Sequence, residues 1–201
     1  MSGNAGQVVG VLLAGGWSRR FGADKLLHPL PDGTPVAVAS AKMLLAACPC
    51  VFSILRPGQD RLHRLLSALG VAATFDVRAE AGIGDSLACA VRASPQAAGW
   101  LVALADMPFV RPATAHAVVA EMHRGAPIAA AEYRGQRGHP VGFSWRCYGE
   151  LSGLSGDLGA RTILAAHTQE IMRVVVDDPG VRDDIDRPED LARMRSSLLT
   201  R

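Results

Sequence analysis

Apolar residues in this chain fall into short unbroken runs, separated by stretches in which they recur every three or four positions, and the two patterns alternate. Val8 to Ala14 is a continuous apolar, partly β-branched run, the pattern of a strand buried on both faces, and it stops at Gly15 and Gly16. Thr34 followed by Pro35 fits an N-cap with proline at the first helical position, predicting a helix to about Ala47 that ends before Pro49. Val51 to Leu55 reads as a second strand. Asp60 to Leu69 reads as a second helix, with Leu62, Leu65, Leu66 and Leu69 on one face and Gly70 as its stop. Val71 to Phe75 is then a third strand, Asp85 to Ala93 a third helix opened by Gly82 to Gly84, and Trp100 to Ala105 a fourth strand.

Strands that alternate with helices in this way pair most economically in parallel, through right-handed crossovers, so the fold class is α/β. Ligands of such sheets sit beyond the carboxyl ends of the strands, the edge to which both Gly15 and Asp106 fall. The rhythm then breaks. Pro112 to Arg124 reads as a helix, Ile128 to Glu132 and Val141 to Ser144 as strands, and the polar, glycine-bearing Tyr133 to His139 as the loop between them. Asp157 to Ala166 is expected to be helical, Ile171 to Val176 a strand, and Pro188 to Leu199 a closing helix. The irregular half is expected to shape a second pocket inside one domain spanning 1–201, with about 8–110 as the nucleotide-binding half and about 111–201 as the acceptor-side half.

Composition narrows the class of protein. Of 201 residues 49% are hydrophobic and 20% charged, which excludes a disordered chain, and the net charge of +2 gives no basic field of the kind that binds nucleic acid. The run at Val8 is too short to span a bilayer and is not preceded by a basic segment, so a cytoplasmic location without membrane contact is expected. Cys48, Cys50, Cys89 and Cys147 form no CxxC pair and have no histidine at zinc spacing, and they read as core or surface thiols.

Three stretches carry candidate chemistry. In Leu12 to Lys25 (LLAGGWSRRFGADK) two glycines free the backbone for positive φ and for close approach of an anion, while Arg19, Arg20 and Lys25 add fixed positive charge, so a polyphosphate is the natural guest. In Leu104 to Pro108 (LADMP) a carboxylate follows directly on a buried strand, where Mg²⁺ can share it with substrate phosphates; an Asp capping the turn ahead of Pro108 is the simpler explanation. In Asp183 to Asp190 (DDIDRPED) alternation puts Asp184 and Asp186 on one face with Ile185 opposite, and two carboxylates held together repel unless a cation or a proton joins them. Asp186 can equally cap the last helix, and the two roles are compatible. The free N–H groups at the start of the third helix, around Gly84, are expected to point at a ligand.

These three stretches, in this order, resemble the MobA-like nucleotidyltransferases, which make molybdenum cofactor dinucleotides. LAGGWSRRFGADK is similar to the family's LAGGxSxRMGxxK signature with Phe21 in place of Met, LADMP resembles its magnesium motif, and DIDRPED resembles its closing DIDTPED. The resemblance runs from about Val8 to Arg193. It implies a three-layer Rossmann-like nucleotidyltransferase fold with a mostly parallel sheet, Mg²⁺ as cofactor, and transfer of a nucleotide from CTP or GTP to molybdopterin with loss of pyrophosphate. GHPVGF (Gly138 to Phe143) and GDLGAR (Gly156 to Arg161) look most like the cytidylyl branch, whereas the Gly15, Gly16 pair looks like the guanylyl branch.

By the same resemblance, Lys25, Arg20 and Asp106 carry catalysis. Leu13, Ala14, Gly15, Gly16, Arg19, Arg20, Lys25, Gly84, Ser86 and Asp106 bind the nucleotide, and Asp106 with Asp186 holds the metal, Asp184 ranking behind them. An anion at Asp85, where the family has a small or hydroxyl residue, is unexpected beside a phosphate. His139, Asp157 and Arg161 are candidates for the molybdopterin side, although His139 fixing the turn before Pro140 explains that residue as well. A molybdenum hydroxylase would receive the product. Two other functions share parts of this pattern: cytidylyl or uridylyl transfer to a sugar or polyol phosphate, and a non-enzymatic chaperone for the molybdenum cofactor.

Overall fold

The computed structural model describes residues 6–15, 21, 24–80, 82–187 and 189–190. Apolar runs and amphipathic segments resolve into β1 (Val8–Leu13), α1 (Val36–Ala47), β2 (Val51–Leu55), α2 (Asp60–Ala68), β3 (Ala72–Phe75), α3 (Ile83–Arg92) and β4 (Gly99–Leu104). These are followed by α4 (Pro112–His123), β5 (Ile128–Tyr133), β6 (Gln136–Ser144), α5 (Tyr148–Ser152), α6 (Arg161–Ala166) and β7 (Ile171–Val175). The expected closing helix, Pro188 to Leu199, lies almost wholly outside the described residues.

The seven strands form one sheet in the order β3-β2-β1-β4-β6-β5-β7. Pairing is parallel for β1 with β2 and β4, for β2 with β3 and for β5 with β7, while β6 runs antiparallel to both β4 and β5. Strand alternation divides the core into two layers. Val8 and Leu12 of β1 join Leu44, Leu62 and Val118 from α1, α2 and α4 on one face. Val9, Val11 and Leu13 join Leu87, Leu151 and Leu164 from α3, α5 and α6 on the other. All six residues of β1 are buried, as its unbroken apolar run requires. The architecture is therefore helix, sheet, helix, an α/β fold of Rossmann-like layering.

The second half departs from expectation in two places. Tyr133 to His139 is not a loop: Arg134 (φ 50°) and Gly135 (φ 75°) make a two-residue turn with both residues left-handed, and Tyr133 pairs with Gln136 across it. The residues are polar because the hairpin's tip is exposed, not because the chain is irregular. Asp157 to Ala166 is helical only from Arg161, since Gly156 (φ 70°) and Gly159 (φ 54°) hold turns that a helix cannot contain. Smaller shifts occur at helix starts, where α1 opens at Val36 with Pro35 as its cap, and α3 opens two residues early at Ile83. The cysteines are all free, and burial pushes the Cys48 thiol up to about 12 and that of Cys147 to about 11, which leaves both unreactive. Among the described residues no helix is long and apolar enough to cross a membrane.

Candidate active site at the carboxyl edge of the sheet

The chain leaves β1 through α1 toward β2 and leaves β4 through α4 toward β5, in opposite directions along the sheet, so the connections diverge beyond the carboxyl ends of these two paired strands and leave a crevice. The two ends stay in register, with the Ala105 N–H donating to the Leu13 carbonyl at 3.0 Å. Asp106 follows immediately. Lys25 arrives from the opposite side on a single 3-10 turn, Lys25–Leu27, closed by Asp24, whose carboxylate accepts the Leu26 N–H at 3.2 Å. Its stem is buried, and its ammonium donates to Asp106 Oδ2 at 2.7 Å and to Asp186 Oδ1 at 3.1 Å, partners 81 and 161 positions away.

Asp184 and Asp186 come from the segment after β7, and what holds that segment is backbone geometry. The Ile185 N–H donates to the Asp106 carbonyl at 2.9 Å and its side chain is fully buried, which turns Asp184 and Asp186 to the crevice as alternation requires. Upstream, buried Asp178 accepts from the Arg111 N–H (2.8 Å), the Thr114 hydroxyl (2.6 Å) and the Gly180 N–H (3.1 Å), tying the segment to the start of α4. Val181 packs so closely on Gly138 that a Cβ there would lie 1.8 Å from its carbonyl oxygen. Sequence reasoning missed Asp178, although Asp-Pro-Gly at 178–180 is a turn signature. Asp190 Oδ2 accepts from the N–H groups of Asp186 and Arg187, and the Asp186 carboxylate faces Lys25; the helix that Asp186 is expected to cap lies almost wholly outside the described residues.

Among the described residues, Asp106, Asp184 and Asp186 are the one group whose carboxylate oxygens lie within 4.8 Å of one another. Three carboxylates there face one ammonium. Partial burial raises the Asp184 carboxyl above its ordinary value, and the charges of Asp106 and Asp186 raise it further. Burial pushes Lys25 down, but Asp106 and then Asp186 outweigh it, so its pKa is raised and the ammonium stays charged. An all-oxygen acidic donor set of this kind fits a hard divalent cation.

Two cavities open beside the cluster. One, of about 200 Å³, is lined by Gly15, Asp106, Glu80, Gly82 and Asp157 among others. The second, of about 190 Å³, lies between α3, the sheet and the 157–161 turn, and its walls include His139, Asp157 and Arg161 beside Leu87, Val141 and Phe143. The structure thus brings the three acceptor-side candidates to one cavity. Leu13, Ile83, Leu104 and Asp157 belong to both.

Other candidates are placed differently. Gly15 is not left-handed, and a Cβ there would meet Ala79 O and Ser86 Oγ at 3.4 Å, an ordinary contact distance. The Ala14 carbonyl accepts from Gln59 Nε2 at 3.2 Å, a support sequence reasoning did not foresee. At the start of α3 the Gly84 N–H is taken up by the Gly156 carbonyl at 2.9 Å. Ser86 is buried, and neither residue is among those lining the two cavities described above. Asp85 accepts the Gly156 N–H at 2.7 Å and so closes a reciprocal clasp on the 155–157 segment. A Cβ on Gly82 or Gly84 would lie 2.3 or 2.8 Å from Gly156 O, so both glycines are needed for that approach. Gly16, Arg19 and Arg20 lie outside the described residues.

Residues 10–171 match the model of the MobA-like NTP transferase domain, and the chain belongs to that family. It is 30% identical over 95% of its length to the purine catabolism protein PucB of Bacillus subtilis, 97% of which is covered. It is 36% identical, over 42% of its length and 48% of the relative's, to a probable molybdenum cofactor guanylyltransferase of Mycobacterium bovis. Among solved structures, the manganese complex of Rv0371C from Mycobacterium tuberculosis superposes with a TM-score of 0.76 at 29% identity, covering 95% of this chain and 98% of that one.

Proposed function

We propose that this protein is a divalent-metal-dependent nucleotidyltransferase that joins CMP from CTP to molybdopterin and releases pyrophosphate. The observation that carries this reading is the ammonium of Lys25, held 2.7 Å from Asp106 at the carboxyl edge where the connections from β1 and β4 diverge. Membership of the MobA-like family supports nucleotidyl transfer, and the name of the mycobacterial relative supports molybdopterin as acceptor. The manganese bound by the Rv0371C structure supports a divalent ion, for which Asp106 and Asp186, with Asp184, are the residues at hand. Magnesium is the ion proposed for this chain.

In the reaction a phosphate oxygen of molybdopterin bonds to the α-phosphorus of the triphosphate, the bond to the β-phosphate oxygen breaks, and pyrophosphate leaves. No side-chain nucleophile is required, since the attacking oxygen is already anionic; the protein positions the reactants and offsets their mutual repulsion. A divalent cation bound at the carboxylates supplies charge neutralisation to the phosphates. Lys25 holds a second positive charge at the same edge, and a unit-charge contact at about 4 Å is worth on the order of 4 kcal/mol at an effective dielectric near twenty, before desolvation. Gly15 lets the phosphate chain approach the end of β1, with Gly16, Arg19 and Arg20 completing that loop. His139, Asp157 and Arg161 line the place for the acceptor.

GTP in place of CTP is the second reading, favoured by the Gly15, Gly16 pair and by the guanylyltransferase name of the mycobacterial relative. Melting the protein with each of CTP, GTP, ATP and UTP, with and without Mg²⁺, separates the two. CTP is expected to raise the melting temperature most, and only with the metal. A larger shift with GTP transfers the assignment to guanosine, an equal response to all four removes the choice of base, and no metal-dependent shift with any of them overturns the enzyme.

A further inference from the structure

Asp178 is buried and engaged through both carboxylate oxygens, each in a different direction. Oδ1 turns back on its own chain and accepts the Gly180 N–H at 3.1 Å, capping the 3-10 turn Pro179–Val181. Oδ2 reaches across to α4, where it accepts the Arg111 N–H at 2.8 Å and the Thr114 hydroxyl at 2.6 Å. Arg111 is the cap residue of that helix, so the negative charge also sits at the favourable end of its dipole. One side chain thus joins a turn to a helix. An amide could serve only one of the two, because its nitrogen accepts nothing.

The turn fixed in this way leads on to the carboxylate cluster through a series of backbone contacts. The N–H groups of Arg182 and Asp183 donate to the carbonyls of Pro179 and Gly180 at 3.0 and 3.3 Å, and the Ile185 N–H then donates to the Asp106 carbonyl. Gly180 lies against Phe109 so closely that a Cβ would be 2.3 Å from the Phe109 carbonyl oxygen. The 178–185 segment is therefore laid along 106–114 in the opposite sense, with Asp178 joined to Arg111 and Thr114, Gly180 against Phe109, and Ile185 joined to Asp106. Burial of Val181 and Ile185 holds the segment down, but apolar burial has no direction. The directional bonds at Asp178 set the register. Because side chains alternate along an extended segment, a slip of one residue would turn Asp184 and Asp186 away from Asp106.

We propose that Asp178 is a positioning residue: by joining the Pro179–Val181 turn to the start of α4, it sets the register in which Asp184 and Asp186 meet Asp106. It acts through those carboxylates rather than on the reacting phosphates. The inference rests on the reading of the cluster as a divalent-cation site.

The test follows Mn²⁺ binding by the whole chain, read from the loss of the free ion's electron paramagnetic resonance signal, together with amide hydrogen exchange over residues 182–186. Asp178→Ala is expected to weaken Mn²⁺ binding about tenfold, the scale of losing a group that orients metal ligands, and to speed exchange of the Ile185 N–H. Asp178→Asn, which keeps one of the two connections, is expected to fall between, at about threefold for Mn²⁺. Val118→Ala, a truncation in the core of the same helix, is the reference for lost stability alone; it is expected to lower the melting temperature and leave Mn²⁺ affinity unchanged. Mn²⁺ affinity within about twofold of wild type in both Asp178 variants, unaltered Ile185 exchange, or an equal loss of Mn²⁺ affinity in Val118→Ala overturns the proposal. Failure of the wild type to bind Mn²⁺ overturns the cation reading instead, and Ile185 exchange in Asp178→Asn then decides the positioning role.

Discussion

The two cavities share Leu13, Ile83, Leu104 and Asp157 and differ in almost everything else. One borders a carboxylate cluster in contact with a buried ammonium, assembled from residues as far as 161 positions apart. The other sets aliphatic and aromatic side chains beside His139, Asp157 and Arg161, with the Nδ1 of His139 enclosed. Charge suits a task common to every reaction of a triphosphate, because the repulsion to be offset is the same whatever the base or acceptor. Apolar surface with a few placed polar groups suits discrimination, because a wrong guest leaves a buried polar group unpaired. Selectivity is therefore to be sought in the second cavity, although the charged one carries the more recognisable sequence.

The strongest way to break this division is Asp106→Ala. Turnover is expected to fall about a thousandfold, the scale of losing a preorganised charge interaction at a reacting phosphate, while the affinity for the acceptor changes less than about threefold. Steady-state kinetics with direct acceptor binding would check it, and turnover above a tenth of wild type would remove Asp106 from the chemistry. A comparable loss of acceptor affinity would show instead that the two cavities act as one.

The shared wall comes next. Asp85→Ala removes the carboxylate that holds the Gly156 N–H and is expected to cost about 2 kcal/mol locally, the scale of a hydrogen bond to a charged group. Amide hydrogen exchange should rise over residues 153–160 and not in β1 or β4, and Asp85→Asn, which keeps an acceptor oxygen, should recover most of the protection. Unchanged exchange in Asp85→Ala would mean that the segment is held by its other contacts.

The smallest expected effect belongs to His139. Its folded-state pKa is lowered from the ordinary 6.5, so the uncharged ring contributes stability that is present above about pH 6.5 and is lost as the pH falls below it, where the unfolded chain binds the extra proton. Wild type is expected to lose more stability than His139→Gln between pH 7 and pH 5, read from denaturant midpoints. Parallel pH profiles would show the ring to be as well solvated folded as unfolded.

Legibility in the sequence followed the same division. β1, β2 and β4 announce themselves as apolar runs because a central parallel strand is buried on both faces, and Lys25, Asp106 and Asp186 lie in local motifs whose chemistry each suggests its place. Asp184, ranked below them, falls in the same cluster because Ile185 must turn inward. The second half hid its structure in backbone conformation: Arg134 and Gly135 read as part of a loop until both are left-handed in a tight turn, and the apolar spacing of 157–166 suggests a helix that Gly159 interrupts. The clasp between Asp85 and Gly156 was invisible for a different reason, since a hydrogen bond spanning 71 positions leaves no periodicity to detect. The same contact accounts for an acidic residue at the start of α3, where a phosphate neighbour would have disfavoured it.

The Ile185 N–H that donates to the Asp106 carbonyl fixes the order in which this centre can come into being. A chain grows from its amino end, and its earlier segments collapse first. β1, Lys25 and β4 can meet while Asp184 and Asp186 have yet to be made, so at that stage Lys25 has Asp106 alone of its two carboxylate partners. The complete triad is a late event in the life of each molecule. A nascent chain with its parallel sheet half already formed still lacks two of the three acids, so the carboxylate cluster is completed by the segment after β7 and not by the half that announces the family.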